Sequence, residues 1–494
     1  MTEPLDVVVI GGGITGASAA YHLTQAGFRT MLLEKGDYGA GTTSRTSRLQ
    51  HCGLGYLSPA AAAPFRFLRR PREVIKSLRS VKSAMIGRAE FVRAAPERVN
   101  PIDFVVPLNR ENPVSRWQAQ LGFTLLRILG GGEVPLDFRL FSARNTNHHP
   151  LLLEMGGEER LKGAVGFREY QYNWPERIVI DLVLAGRRLG LQAFNYSPVQ
   201  KLTFQDNLWS VAFTNPEGYR EVKARAVFNC AGIWVDAIAE MSDLKAPRLN
   251  AGQKGTNIAV RLPEKLKGTG LQTLTESNAP FYVIPWKDLH YIGPWDSEPK
   301  GTDADFSASE VEIESILAQF SKLFPNLALS REDVLYSWAG VRPRSADPHS
   351  GAPTGDIRLH DLTGEGLRNY FVFTGGLLMT HREAGRKMVS AAIRRLGRPG
   401  SVSLRQVEIP FASQVDGYTP DAVRHAIRHE QARTLADILR RRLSVGWDEK
   451  LGLDNVAETA DMAAGIFGWS DSEKQRQVDA FREETVRAFG PRQI

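Results

Sequence analysis

The run VVVIGGGITGASAAYHL near the start of the chain limits its fold more than any other stretch. Residues 7–10 are unbroken apolar, as a strand buried on both faces requires. Residues 17–25 then read as a helix rich in small side chains, and residues 30–34 as a second strand that ends in an acid. Gly11 allows the tight turn, Gly13 lets backbone approach a pyrophosphate, and Gly16 with Ala20 permits close packing of helix on strand. The helix N-terminus offers N–H groups to phosphate. Glu34, eighteen residues beyond Gly16, is placed to accept ribose hydroxyls. A lone GxGxxG is a weak signal, but strand, turn, helix, strand and acid together specify a Rossmann-like dinucleotide-binding unit.

Two later segments decide which dinucleotide. ARAVFNCAGIWVD, residues 224–236, is a buried strand running into Ala231 and Gly232. NYFVFTGGLLMTHREAGRKM is a strand, then Gly375 and Gly376, then a helix whose N-terminus can face a ring or its ribityl chain. One cofactor touched by such distant segments fits an extended FAD, because a nicotinamide site is normally completed within one contiguous domain. The expected FAD contacts are Gly11, Gly12, Gly13, Ile14, Thr15 and Gly16 from the first turn, with Glu34 and Lys35 after the second strand. Thr43, Ser44 and His51 follow from the next stretch, then Val199, then Ala231 and Gly232. Gly375, Gly376, Leu377, Leu378 and Met379 complete the set.

The remaining features narrow the class. A chain of 494 residues exceeds one simple core, so more than one domain is expected. No run reaches the ~18 apolar residues of a spanning helix, and the opening MTEPLDVVVIGGG reads as neither signal nor transit peptide. With only Cys52 and Cys230 there is no metal cluster and no disulfide framework, so a cytoplasmic location and no metal are expected. Residues 65–93 are strongly basic, with Val74, Leu78, Val81 and Met85 at helical spacing. This reads first as a surface helix packed by one face. Its sharper reading is contact with an anionic membrane surface, on the inner face of the membrane. No nucleic-acid motif accompanies the charge.

From AGTTSRTSRLQHCGLGYL onward the chain resembles the FAD-dependent glycerol-3-phosphate dehydrogenase/oxidase family, with its GTSSR…HGGLRYL stretch. FYVIPWKDLHYIGPWD is similar to the family segment ending in GTTD, WAGVRP to SGVRP, and FTGGLLMTHREAGRKM to GGKLTTYRKLAE. The stretches RHAIRHEQARTLADILRRRLSVGW and FGWSDSEKQRQVDAFR resemble its C-terminal helical domain. The resemblance implies an α/β fold. A doubly wound FAD-binding Rossmann-like domain is interleaved with an antiparallel-sheet substrate domain over residues 1–400, and a helical domain follows at 401–494. The FAD segments are expected at 1–57, 160–250 and 330–400, and the substrate segments at 58–159 and 251–329.

The family's chemistry implies oxidation of a secondary alcohol, glycerol 3-phosphate or a bulkier or less anionic relative, by hydride transfer to flavin N5. Electrons then pass to quinone or oxygen. His51 matches the histidine of HGGLRYL and is expected as general base or as the group that orients the hydroxyl. Arg342 matches the arginine of SGVRP, whose planar fork suits an anion. Tyr56, Asn257, Trp295, Arg344, Thr380 and His381 are expected to line the substrate. Departures point to a changed substrate: Gly55 and Leu377 stand where the family has arginine and lysine, Asn257 replaces a histidine, and Pro294 and Trp295 replace a threonine pair. Arg344, Lys254 or Arg382 are candidates to restore the missing charge. An amine oxidase of glycine- or sarcosine-oxidase type, and a flavoprotein subunit without activity, are the alternatives.

Overall fold

The computed structural model describes residues 3–53, 71–109, 115–130, 134–242, 246–275, 279–299, 306–347, 350–354, 357–399 and 417–490. The strand–turn–helix–strand unit forms where the sequence places it. Leu5–Ile10 lies parallel to Thr30–Leu33, joined by the helix Ile14–Gln25. Alternate residues of the first strand feed different cores: Val7 and Val9 face the helices, Val8 and Ile10 the opposite side. That is why the whole strand is apolar. Gly218–Asn229 pairs in parallel on its other flank, Tyr370–Thr374 beyond that, and Gln192–Phe194 beside Thr30–Leu33. Arg358–Asp361 closes one edge antiparallel. The glycine turns and the acid predicted from sequence all follow the carboxyl ends of these parallel strands, where open α/β sheets bind ligands.

A second, nine-stranded sheet stands beside the first. Its strands Gln253–Val260, Pro280–Trp286 and Leu289–Ser297 pair antiparallel, and Thr269–Leu274 lies parallel to Val99–Asn109. The expected segment boundaries need correction. Leu161–Tyr172 and Val334–Arg342, assigned above to FAD segments, are strands of this second sheet, as is Leu49–Gln50. Apolar residues in a strand report burial, not which sheet buries them.

The basic segment forms the helix Pro71–Ala94. Val81 and Met85 enter the core of the second sheet while Ala84 and Phe91 enter that of the first. The helix therefore packs against both. The helices Pro420–His429, Val456–Phe467 and Asp471–Phe489 share a core of their own. Residue 400, where the linker was expected, lies outside the described residues. The helical region is fastened by buried ion pairs: Arg441 to Asp37 at 2.6 Å, Arg442 to the same carboxylate, and Arg177 to Glu430 at 2.7 Å. Burying such charges is tolerable only because each carboxylate meets two or more donors. The pairs to Asp37 hold the loop that follows Glu34.

Candidate active site

The first turn separates glycines required by packing from the one that is not. A Cβ on Gly11 would strike the Cys230 carbonyl at 2.7 Å, one on Gly16 the Gly11 carbonyl at 1.8 Å, and one on Gly12 the side chains of Glu34 and Tyr38 at 2.8 Å. Gly11 also has φ of 103°, a region that disfavours side chains. A Cβ on Gly13 would meet only Thr43 Oγ1, at an ordinary 3.4 Å. Gly13 thus leaves bare backbone facing open space, the cradle a pyrophosphate needs. It is also the N-cap of the helix, with no side chain capping it. Thr43 Oγ1 accepts the N–H of Ile14 at 3.1 Å.

Glu34 is fixed by backbone. Its Oε2 accepts the Gly12 N–H at 2.6 Å and its Oε1 the Gly36 N–H at 2.8 Å. Burial raises its pKa, and these two N–H bonds oppose the rise. Each carboxylate oxygen keeps a lone pair for a ribose hydroxyl.

From Glu34 a cavity of about 1310 Å³ runs between the sheets. Sites for drug-sized ligands occupy ~300–1,000 Å³, so this one has room for an extended dinucleotide and a second molecule. Of the expected FAD contacts, Gly11, Gly13, Ile14, Thr15, Glu34, Lys35, Thr43, His51 and Val199 line it. So do Ala231, Gly232 and the whole run Gly375 to Met379. Gly12 and Gly16 stand behind that wall, holding Glu34 and the turn. Ser44 is buried and bonds the carbonyls of Ala40 and Gly41 instead. Lys35 lies 3.7 Å over the Trp234 ring, and both line the cavity.

The second sheet contributes Asn257, Asp296 and Arg342 to the cavity wall, and Arg344 and Thr380 line it as well. Arg342 Nη1 donates to Asp296 Oδ1 at 2.7 Å, and Gln253 donates to Asp296 Oδ2 at 3.1 Å. His51 reaches the same cavity. Its Nδ1 accepts the Gly53 N–H at 3.2 Å, so the neutral ring carries its proton on Nε2. Burial lowers its pKa to about 4, which keeps it neutral at physiological pH.

Two expected substrate residues point elsewhere. Pro294 and Asp296 line the cavity, but Trp295 between them faces the opposite core, as the two-residue period of a strand dictates. His381 is buried against the first helix, with Nδ1 3.1 Å from Ser18 Oγ. Tyr56 and Gly55 lie outside the described residues. Among the candidate replacement cations, Lys254 pairs with Glu312 at 3.0 Å, and Arg382 lines an adjoining cleft that shares Met379, Thr380 and Glu383 with the cavity. Arg344 alone of the three lines the cavity. Sequence reasoning missed Arg45, Arg358, Asp296, Gln272 and Tyr282, which line it too. An arginine at the end of a strand carries no signal of its own until the strand has a neighbour.

Comparison with known proteins agrees with this geometry. The model of the FAD dependent oxidoreductase family (DAO) matches residues 6–389. The chain belongs to that family. It is therefore an FAD-dependent oxidoreductase, and its cofactor is FAD. The C-terminal domain of alpha-glycerophosphate oxidase matches residues 408–474, and glycine oxidase from Geobacillus kaustophilus shares the fold of the larger part, with a TM-score of 0.55 and 19% identity over 82% of this chain and 98% of that one. The chain is 25% identical over 550 residues to a glycerol-3-phosphate dehydrogenase of Synechocystis sp., covering 97% of this chain and 96% of that one. It is 30% identical over 398 residues to D-erythritol 1-phosphate dehydrogenase of Brucella abortus, covering 78% and 73%. The structure of the glycerol-3-phosphate dehydrogenase from Bacillus halodurans complexed with FAD shares the fold, with a TM-score of 0.73 and 21% identity over 99% of this chain and 95% of that one.

Proposed function

We propose that this flavoenzyme oxidises a secondary alcohol of a phosphorylated polyol, glycerol 3-phosphate or a bulkier relative, to the ketone. The observation that carries the reading is the charge on the cavity wall: Arg344 and Arg358 line it together with His51, and Arg342 lines it as an ion pair with Asp296. A buried phosphate dianion needs such partners, and the two relatives above are named for phosphorylated substrates. FAD, when bound, supplies the two-electron acceptor that takes hydride at N5. The chain's own residues hold the anion on the arginines and orient the reacting hydroxyl on His51. The Gly53 bond favours a His51 that donates from Nε2. Taking up the hydroxyl proton at Nε2 would require the other tautomer and the loss of that bond.

Anaerobic bleaching of the flavin tests the assignment. Glycerol 3-phosphate or a four-carbon polyol phosphate should bleach it, and N-methyl amino acids should not. Bleaching by the amino acids alone would overturn the reading, and no bleaching by any of them would favour a flavoprotein subunit. Arg358→Gln should raise KM for the phosphorylated substrate by about tenfold or more, since a charge-assisted hydrogen bond contributes roughly 1.5–3 kcal/mol. An unchanged KM would remove Arg358 from the anion site.

A second surface bears on the electron acceptor. In the capped helix Arg116–Leu129, Trp117, Leu121 and Ile128 are 64%, 62% and 68% exposed. They form an apolar stripe flanked by Arg116 and Arg127 and neighbour the basic helix Pro71–Ala94. No helix of the described residues is long and apolar enough to cross a membrane. The stripe suits an anionic bilayer on the cytoplasmic side and therefore a quinone acceptor, with oxygen as the alternative. Trp117→Glu with Leu121→Glu should weaken co-sedimentation with anionic vesicles by tenfold or more, because each buried apolar side chain is worth about 1.5–3 kcal/mol. Equal sedimentation of both proteins would exclude this face.

A further inference from the structure

Next to His51 lies a buried carboxyl group that none of the roles above uses. Glu169 sits on the strand Leu161–Tyr172 and is fully buried. Its Oε1 accepts the Cys52 N–H at 2.7 Å, one residue from His51. Among the described residues its Oε2 has no hydrogen-bond partner, and it faces Arg88 Nε at 3.8 Å. Arg88 is itself fully buried and is held by three carbonyls: Val134 at 2.7 Å, Arg168 at 3.1 Å and Pro135 at 3.3 Å.

We propose that Glu169 is a positioning residue, whose carboxylate holds the Cys52 N–H and so sets where His51 stands in the cavity wall, and whose protonation releases that hold. The inference rests on the role given to His51 above. A carboxylate accepts an N–H more strongly than a neutral acid does. Protonation of Glu169 also leaves the Arg88 charge without its counter-ion. Among the described residues, the charged or titratable groups around Glu169 are those of two elements. The helix Pro71–Ala94 contributes Arg88, the segment before residue 54 contributes the Cys52 thiol, and the cross-strand neighbour on Val99–Asn109 is Ile102. Burial raises the Glu169 pKa to about 7, against the pull of Arg88 and of the Cys52 N–H and thiol. The group therefore changes charge in the working pH range, where His51 does not.

The sign follows from the direction. Above pH 7 the carboxylate holds the segment, and below it the hold weakens. Flavin reduction by the polyol phosphate should therefore rise in the wild-type holoenzyme as pH rises through about 7. Glu169→Gln keeps an acceptor for the Cys52 N–H without the charge. It should be about tenfold slower than wild type at pH 8 and flat from pH 6 to 8. If the unpaired Arg88 prevents folding of that variant, Arg88→Met combined with Glu169→Gln removes both charges and should show the same flat profile. Hydrogen exchange at the Cys52 amide gives a readout that needs no substrate, and its protection should fall about tenfold in either variant. A wild-type pH profile in the variants, or unchanged protection at Cys52, overturns the proposal. If no polyol phosphate bleaches the wild type, the functional reading fails by itself, and exchange at Cys52 then decides the anchor.

Discussion

Gly13→Val should give a folded but colourless protein, while the wild type purifies yellow with one FAD per chain. The reason lies in the space around each glycine. At Gly11, Gly12 and Gly16 an added carbon strikes protein at 2.8 Å or less, so replacing them would damage the fold itself. At Gly13 an added Cβ meets only Thr43 Oγ1 at an ordinary contact distance, and we propose that what the valine displaces is the cofactor's pyrophosphate. Losing two charge-assisted hydrogen bonds of roughly 1.5–3 kcal/mol each corresponds to a fall in affinity of about 10²-fold or more. Absorbance near the flavin bands and circular dichroism of the same sample measure the two halves of the prediction. A yellow Gly13→Val protein would mean that the pyrophosphate does not cross this turn. Lost secondary structure would mean that Gly13 is required for packing after all.

His51→Ala should retain FAD and slow flavin reduction by about 10²–10⁴-fold, the usual range for a group that handles a proton in the rate-determining step. Retention is expected because the cradle at Gly13 and Glu34 does not depend on the imidazole. His51→Asn separates the two ways the ring can act. An amide can donate to the substrate oxygen as Nε2–H does, but it cannot take a proton. Activity well above that of His51→Ala would assign the orienting role that the Gly53 bond favours, and equal loss in both variants would assign a base. Because burial lowers the His51 pKa to about 4, its own titration should leave the rate unchanged between pH 6 and 8. Wild-type rates in both variants would reduce His51 to packing.

Much of this was legible in the chain because it is local. The Gly11, Gly13 and Gly16 spacing and the acid at Glu34 follow from a strand, a turn and a helix built from consecutive residues. The glycine pair at Gly375 and Gly376 was found the same way, and the structure brings these segments to one cavity. The errors concern direction and partner. Trp295 was expected at the substrate, but a strand sends neighbouring side chains to opposite faces, and only pairing with Gln253–Val260 shows which face is the cavity. His381 was expected there too, but helix packing turned it towards Ser18. Lys254 and Arg382 were candidate anion partners that tertiary contacts had already engaged or placed elsewhere.

By itself, then, the sequence determined the strand–turn–helix–strand unit, the cofactor class and the family, since each depends on short spacings that backbone geometry makes specific. Tertiary structure alone decided which cations meet in the cavity, which strands form the second sheet, and that Glu169 stands behind His51. Those facts depend on contacts between separate elements, and the last on residues more than a hundred positions apart. Glu169 and Cys52 become neighbours only when Leu161–Tyr172 pairs with Leu49–Gln50. A carboxylate in a strand reads as ordinary surface charge until the sheet closes over it and removes the water.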